Sequence, residues 1–500
     1  MKTFLSLFLL LAFTISAVPA DKTAPLKIIT TPQAPKFTDA ERQRELARRR
    51  ATVAAKMADR SMLVLFSSEP KLYTNDVDYV YRQENNLYYL TALKQDGATL
   101  VITKVGGTVS ETLFLPKRVP IREAWEGKMY SRDDATRISG IKTLADASER
   151  GAFIESVKEK KAFGSKDDAV TIPASAETLY LLLPKSADDE NGMREFRFEN
   201  EIAKQFAGFK IENAQPIFAE LRLIKSPYEL KMLQHAIDIT TEAQMRAMAT
   251  VGKADWEYEV HAEVEYTFRR RNADFWGYPS IVGCGANATT LHYVESQSPV
   301  KKGELLLMDV GAEYEHYTAD VTRTFPVNGK FTKEQAEIYQ IVYDAQEAVA
   351  KATKPGVQFN ELSRIAQNTI SEGLFKLGLV TDKNSRQVSR WFIHGLGHWL
   401  GMNVHDVGSY SNPLKAGMVF TNEPGIYIRA DALDNLPDTP ENRAFIEKVR
   451  PAFEKYKNIG VRVEDDMLVT ESGVEWMSGK LPRSITDIEA FMASPPKQLP

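Results

Sequence analysis

The chain has 500 residues, 43% hydrophobic and 26% charged, with a formal net charge of -4 at pH 7. That length exceeds what one hydrophobic core usually organises, so two domains with processed ends are expected. The composition is that of a soluble globular protein, and the absence of any basic block argues against nucleic acid or an anionic membrane surface as the partner.

Residues 1–20 stand apart from the rest. Lys2 precedes an apolar run from Phe4 to Ile15, followed by Ser16-Ala17-Val18-Pro19-Ala20. This is the charged, apolar and small-residue order of a signal peptide. Cleavage is expected after Ala20, with Ala17 as second choice, and the expected location is secreted or periplasmic. The run is short for a bilayer, so an uncleaved anchor is the lesser expectation. The single cysteine, Cys284, leaves no intrachain disulfide to form. No cysteine stands at the cleavage site, so a lipoprotein is not expected. Between Gly283 and Gly285, Cys284 reads as a small packed residue rather than a nucleophile.

Residues 21–38, with Thr30-Thr31-Pro32-Gln33-Ala34-Pro35, read as a flexible leader. Asp39 to Met57 is rich in Ala, Arg, Glu and Lys and predicts a helix, with Asp39 as its cap. Short apolar runs at Met62–Phe66, Thr99–Ile102 and Thr112–Leu115 alternate with helical stretches, which predicts an α/β domain over 39–195. Ser226 and Pro227 suit the N-cap and first turn of a long helix toward Met248. A second domain is expected over 215–480, richer in helix, with acidic residues on its strands. Residues 481–500 read as a tail.

The chemistry is concentrated in the second domain. Leu305 to Gly311 is an apolar strand carrying Asp309, and Asp320 opens the β-branched strand Val321–Val327. An irregular hairpin or adjacent-strand connection between them would let both carboxylates face one ion; a pair of solvated acids fits this stretch equally well. Three of the seven histidines fall within His394-Gly395-Leu396-Gly397-His398 and the following residues to His405. The glycines disfavour the helical HExxH zinc motif and instead allow close backbone approach to a ligand. Glu423 stands before Pro424, which biases it to an extended backbone. In Gly460 to Val469, Arg462 and Glu464 are two apart and share a strand face; a solvent-facing charged edge is the rival reading there. Four carboxylates in apolar surroundings are prohibitively costly unless cations offset them, and two divalent metals would bring the set close to neutral. Metals bridged by carboxylates suit hydrolysis. One nitrogen and four oxygen donors favour Mn²⁺, with Co²⁺, Fe²⁺ or Zn²⁺ also suitable.

Taken in order, these motifs resemble the pita-bread metallopeptidases of family M24, which include aminopeptidase P, prolidase and methionine aminopeptidase. The likeness covers about 215–475 and is greatest to aminopeptidases P. A second stretch, from Asp76 through Tyr81-Arg82-Gln83 to Asn86 and Thr91, resembles the aminopeptidase P N-terminal domain. The resemblance implies an α/β N-terminal domain and a pita-bread catalytic domain with Asp309, Asp320, His398, Glu423 and Glu464 as metal ligands, Asp320 and Glu464 bridging. His292 matches a proton-handling or substrate-binding histidine, and His405 one that contacts the substrate carbonyl. His394, Tyr278 and Arg462 match residues that touch substrate or support the ligands. The implied reaction is release of the N-terminal residue before proline through attack by a metal-bridging hydroxide, with Glu423 accepting a proton. Proline preference comes from the resemblance alone. Trp399, Tyr278 and Tyr427 are candidates for a proline slot, at least one of them being an ordinary core aromatic.

Prolidase, which cleaves only dipeptides, is the nearest rival. Methionine aminopeptidase usually lacks the N-terminal domain, creatinase lacks the metal ligands, and a non-catalytic pita-bread peptide-binding protein would have lost ligands that this chain keeps. The resemblance also implies a homodimer or homotetramer. Residues 430–457 depart from the family pattern and are expected as an insertion near the rim. Asn287-Ala288-Thr289 fits a glycosylation sequon, but a glycan beside His292 would crowd the site and is not expected.

Overall fold

The structure, a computed structural model, describes residues 27–493 except 187 and 207. The expected signal segment and the last seven residues lie outside the described residues.

The first helix, Asp39–Lys56, is closed by a reciprocal capping box in which Thr38 is the N-cap and Glu41 answers it. Asp39, expected as the cap, is instead the first helical residue, because Thr38 is extended and has Glu41 three residues on. Leu46, Val53 and Ala54 of this helix are buried. A six-stranded mixed sheet follows in the spatial order 210–213, 178–181, 61–66, 99–105, 108–115, 144–146. Strands 61–66, 99–105 and 108–115 form an antiparallel meander, and the remaining pairings are parallel. The edge strand Lys210–Asn213 pairs with Thr178–Leu181, so this unit continues beyond residue 195, where its end was expected.

The long helix Pro227–Thr250 begins at a second capping box, Ser226 with Glu229, with proline in its first turn. Ser226 Oγ also donates to Glu45 at 2.8 Å, which ties this start to the first helix. Beyond it lie four small antiparallel sheets, one of them joining strands 275–276, 312–314 and 317–318. The other three join strands 281–284, 305–310 and 321–326; strands 419–422, 465–469 and 474–476; and strands 425–427 and 460–462. The helices Pro227–Thr250, Glu257–Arg270, Lys333–Ala352 and Phe359–Leu377 pack on these sheets through one continuous apolar core that includes Ile239, Val264, Ile338, Leu362, Phe420 and Val461. Strand residues buried on both faces explain why Leu305–Val310 reads as an unbroken apolar run rather than an alternation.

Three expectations change. The described part of the leader is held in place: Ile28 is buried, and Thr31 N donates to Glu242 at 2.7 Å. The expected tail contains the helix Ile485–Ala493, whose Ile488 and Phe491 are fully buried. Their apolar spacing was masked by the surrounding Ser and Pro. The segment 430–457 is no loose rim insertion, because Pro440–Tyr456 is an amphipathic helix with Phe445, Val449, Phe453 and Tyr456 in the core. Phe453 lies 6.2 Å from the Trp391 ring. Replacing Phe491 by Ala is expected to lower stability by about 3–5 kcal/mol. Urea unfolding checks this, and an unchanged midpoint would mean that the C-terminal helix adds nothing to the core.

Candidate metal centre

Strand 305–310 lies between strands 281–284 and 321–326, with Asp309 opposite Ile281 on one side and Thr322 on the other. Val310 pairs with Val321, so Asp320 emerges beside Asp309 at the sheet end. Tyr278 Oη donates to one oxygen of each carboxylate at 2.5 Å. Gly311 permits this crowding: a Cβ there would sit 1.9 Å from the Ala319 carbonyl oxygen.

His398 arrives on a segment without regular structure, fixed by its backbone. Its N–H donates to Thr421 Oγ1 at 3.0 Å, and Thr421 N donates to the His398 carbonyl at 2.9 Å. A Cβ on Gly397 would lie 1.9 Å from the Thr421 carbonyl oxygen, so glycine is required for this close approach. His398 Nδ1 lies 3.2 Å from the Trp399 carbonyl, an arrangement that keeps Nε2 as the free nitrogen. Nε2 stands 3.3 Å from both Asp320 Oδ2 and Glu423 Oε1. Thr421 Oγ1 donates to Glu423 Oε1 at 3.1 Å.

Glu464 sits between strands 460–462 and 465–469 and donates its N–H to the Thr322 carbonyl at 3.1 Å. Its carboxylate accepts from Thr322 Oγ1 at 2.5 Å. One donor atom each from Asp320, His398 and Glu464 lie within 4.8 Å of one another. Arg462 runs behind the group. It pairs with Asp309 and donates Nε to Thr322 Oγ1 at 3.0 Å and Nη1 to Tyr427 Oη at 2.8 Å. Tyr427 Oη also meets His394 Nε2 at 2.8 Å. The charged edge read as an alternative for 460–469 is therefore fully buried.

The electrostatics show what the site lacks. Burial, aggravated by neighbouring carboxylates, raises Asp320 and raises Glu464 well above the ordinary carboxylate range. Burial likewise raises Glu423 to about 7, even though His398 opposes the shift. Burial works against a charged His398, yet Asp320 and Glu423 outweigh it and raise the ring to about 9. Burial and then Arg462 depress His394 to about 3, so it stands neutral. Among the described residues Arg462, paired with Asp309 and Glu464, is the one fixed cation in contact with this set of four carboxylates. A donor set forced to hold protons for want of countercharge is chemically suited to divalent cations, and the single imidazole among oxygens fits a hard or borderline metal.

The other expected residues are placed as follows. His405 lies at the exposed mouth, its ring 4.3 Å from that of His398. His292 is exposed on the loop after strand 281–284. Trp399 is fully buried against Phe359 and Tyr410 and belongs to the core, so it cannot form a substrate slot. Tyr427 is likewise buried and spends its hydroxyl on Arg462 and His394. Cys284 is buried and its thiol is pushed up to about 12, mainly by burial.

Thr322, Thr421 and Glu257 escaped the sequence reading. Glu257 is fully buried and accepts from Cys284 N, Asn287 Nδ2, Tyr293 Oη and Ser298 N at 2.7–3.0 Å, which fastens the loop carrying His292. Asn287 is thus engaged where the sequon was noted. Only the register of Thr322 opposite Asp309 could have marked the first of these; the other two carried no signal.

Residues 231–471 match the metallopeptidase family M24, and residues 46–163 match the aminopeptidase P N-terminal domain. The Xaa-Pro aminopeptidase of Haemophilus influenzae is 34% identical over 457 residues, covering 90% of this chain and 97% of that one. The chain belongs to the aminopeptidase P family of M24 metallopeptidases. The Xaa-Pro aminopeptidase of Escherichia coli is 32% identical over 467 residues, 91% of this chain and 99% of its own. The solved structure of E. coli aminopeptidase P with the inhibitor Pro-Leu superposes with a TM-score of 0.77 at 31% identity, covering 93% of this chain and all of that one. A zinc-substituted form with product gives 0.76 with the same identity and coverage. The catalytic half therefore has the pita-bread fold, behind an aminopeptidase P N-terminal domain.

These shifts imply a pH dependence. Between the ordinary value of 4.5 and about 7, Glu423 holds a proton when folded and loses it when unfolded. Stability of metal-free protein from this group is therefore present at low pH and lost as pH rises through 7. His398, held protonated to about 9, acts in the same direction. Divalent metal replaces those protons. The melting-temperature gap between metal-loaded and chelated protein is expected to widen from pH 5 to pH 8; a gap independent of pH in calorimetry would contradict the shared site.

Proposed function

We propose that the chain is a dinuclear metal-dependent aminopeptidase that releases the N-terminal residue from peptides with proline at the second position. The observation that carries this reading is the set of buried Asp309, Asp320 and Glu464 with half-buried His398 and Glu423, meeting one guanidinium among the described residues, in a chain matching Xaa-Pro aminopeptidases over nearly their whole length. Preference for proline comes from those relatives.

In this reading the five residues would hold two divalent ions, Mn²⁺ before Co²⁺, Fe²⁺ or Zn²⁺. Bound divalent cations supply Lewis acidity, which acidifies water and polarises a peptide carbonyl. Glu423 is the proton acceptor for the attacking water, a carboxylate at the donor set that metal binding would keep deprotonated. Thr421 Oγ1 holds one of its oxygens in place. His405, beside His398 at the open mouth, donates to the oxygen that gains charge as the peptide bond is attacked. His292 binds substrate or hands a proton to the departing prolyl nitrogen. Tyr278, Arg462 and His394 orient carboxylates: Tyr278 joins Asp309 to Asp320, and Arg462 reaches His394 through Tyr427.

Residues 1–20 act as a signal peptide cleaved after Ala20, so the enzyme works in the periplasm or outside the cell as a homodimer or homotetramer. Among the described residues no helix is long and apolar enough to cross a membrane.

Hydrolysis of a Xaa-Pro-Yaa tripeptide beside a Xaa-Pro dipeptide, before and after chelation and return of Mn²⁺, tests the reading. Metal-restored cleavage of the tripeptide is expected; cleavage of the dipeptide alone would move the activity to prolidase. Glu423→Gln is expected to fold and to lose roughly 10²–10⁴-fold in kcat, the range of a general base. Wild-type turnover in that variant would remove Glu423 from the reaction.

A further inference from the structure

His405 stands on a loop without regular secondary structure, so its position must be imposed from outside. Besides bonds within the catalytic half, such as Thr318 N to the Gly401 carbonyl and Asp406 N to the Trp399 carbonyl, the loop is held by contacts from the N-terminal domain. Arg82 Nη2 donates to the Met402 carbonyl at 2.8 Å, and Asn85 Nδ2 donates to Asn403 Oδ1 at 2.8 Å. Arg82 is itself anchored: its Nε reaches both oxygens of Glu313 at 3.1 and 2.9 Å, and Nη1 donates to Asn85 Oδ1 at 2.9 Å. Glu313 is buried on a strand of the catalytic domain, so the guanidinium joins a fixed strand to the loop. On the far side of His405, Asp406 accepts from Arg222 Nη2 at 2.5 Å, and Arg222 Nη1 donates to Asn86 Oδ1 at 2.9 Å. Residues 82–86 therefore grip the chain both before and after His405. In the sequence this stretch carries only the likeness to the aminopeptidase P N-terminal domain.

We propose that Arg82, with Asn85 and Asn86, is a positioning element for the reaction: the N-terminal domain sets the reach of His405 toward the substrate carbonyl. This rests on the function proposed above and adds a role for the N-terminal domain within one chain. Arg82 touches neither the metal-ligand residues nor their direct partners in the contacts described, so its removal acts through loop placement. A bidentate guanidinium held on a buried carboxylate is geometrically restrictive, and small displacements of a catalytic group are costly in rate.

A double-mutant cycle tests the proposal: wild type, Arg82→Ala, His405→Ala and the pair, each assayed on a Xaa-Pro-Yaa tripeptide with bound metal and melting temperature measured alongside. Arg82→Ala is expected to keep both metals and to lose about tenfold in kcat, with KM changed less than about threefold. In the His405→Ala background the same change is expected to cost less than about twofold, because the group it positions is gone. Equal losses in the two backgrounds, or full kcat in Arg82→Ala, overturn the positioning role. If Arg82→Ala does not fold, Asn403→Ala, which deletes a single hydrogen bond of the grip, enters the same cycle with a smaller, equally non-additive loss expected and additivity again overturning the role. Wild-type protein that holds two metals yet leaves the tripeptide intact overturns the activity itself, and the positioning role with it.

Discussion

The structure is arranged around the confinement of negative charge. Asp309, Asp320, Glu423 and Glu464 are brought together with little solvent, and among the described residues the guanidinium of Arg462 is the one basic side chain of lasting charge that meets them. Burying one unpaired carboxylate is already costly, and the raised carboxyls show that cost taken up by protonation. Much of the surrounding architecture makes that confinement tolerable. Hydroxyls of Tyr278, Thr322 and Thr421 each meet a carboxylate oxygen, so the lone pairs facing away from the centre are occupied. One donor atom each of Asp320, His398 and Glu464 remains within 4.8 Å of the others, a grouping suited to a divalent ion.

A second layer of order makes the site stiff. Arg462, Tyr427 and His394 form a chain of polar contacts from Asp309 to the histidine segment, and Tyr427 N donates to the Trp391 carbonyl. Trp391 is in turn packed beneath the helix Pro440–Tyr456. The departure noted in the sequence between Glu423 and Glu464 thus supports the back wall of the centre, and the ligands on either side of it keep their geometry.

Much of this was legible in the sequence because metal ligation needs particular residue types beside particular neighbours. The apolar strand around Asp309, the glycines flanking His398 and the proline after Glu423 each limit the backbone in a way that shows in one dimension. The helix start at Ser226 was legible for the same reason, since a cap with proline in the first turn has few other uses. The supporting residues were not. Thr322 and Thr421 are ordinary strand residues until the register is known, and Glu257 acts on a loop that begins 27 residues away from it. The tail failed because two buried apolar residues in a short helix resemble a disordered end, and Trp399 failed because type alone does not distinguish a pocket wall from a core.

The donors are spread over residues 309–464 and lie on or beside three of the four small sheets of this half. No contiguous fragment holds them, so a nascent or partly folded chain has no preformed cavity to capture an ion. Selection of the metal is consequently postponed until the second half of the molecule has closed. The ions present where and when that closure occurs, rather than any property of a partial chain, decide which element can enter.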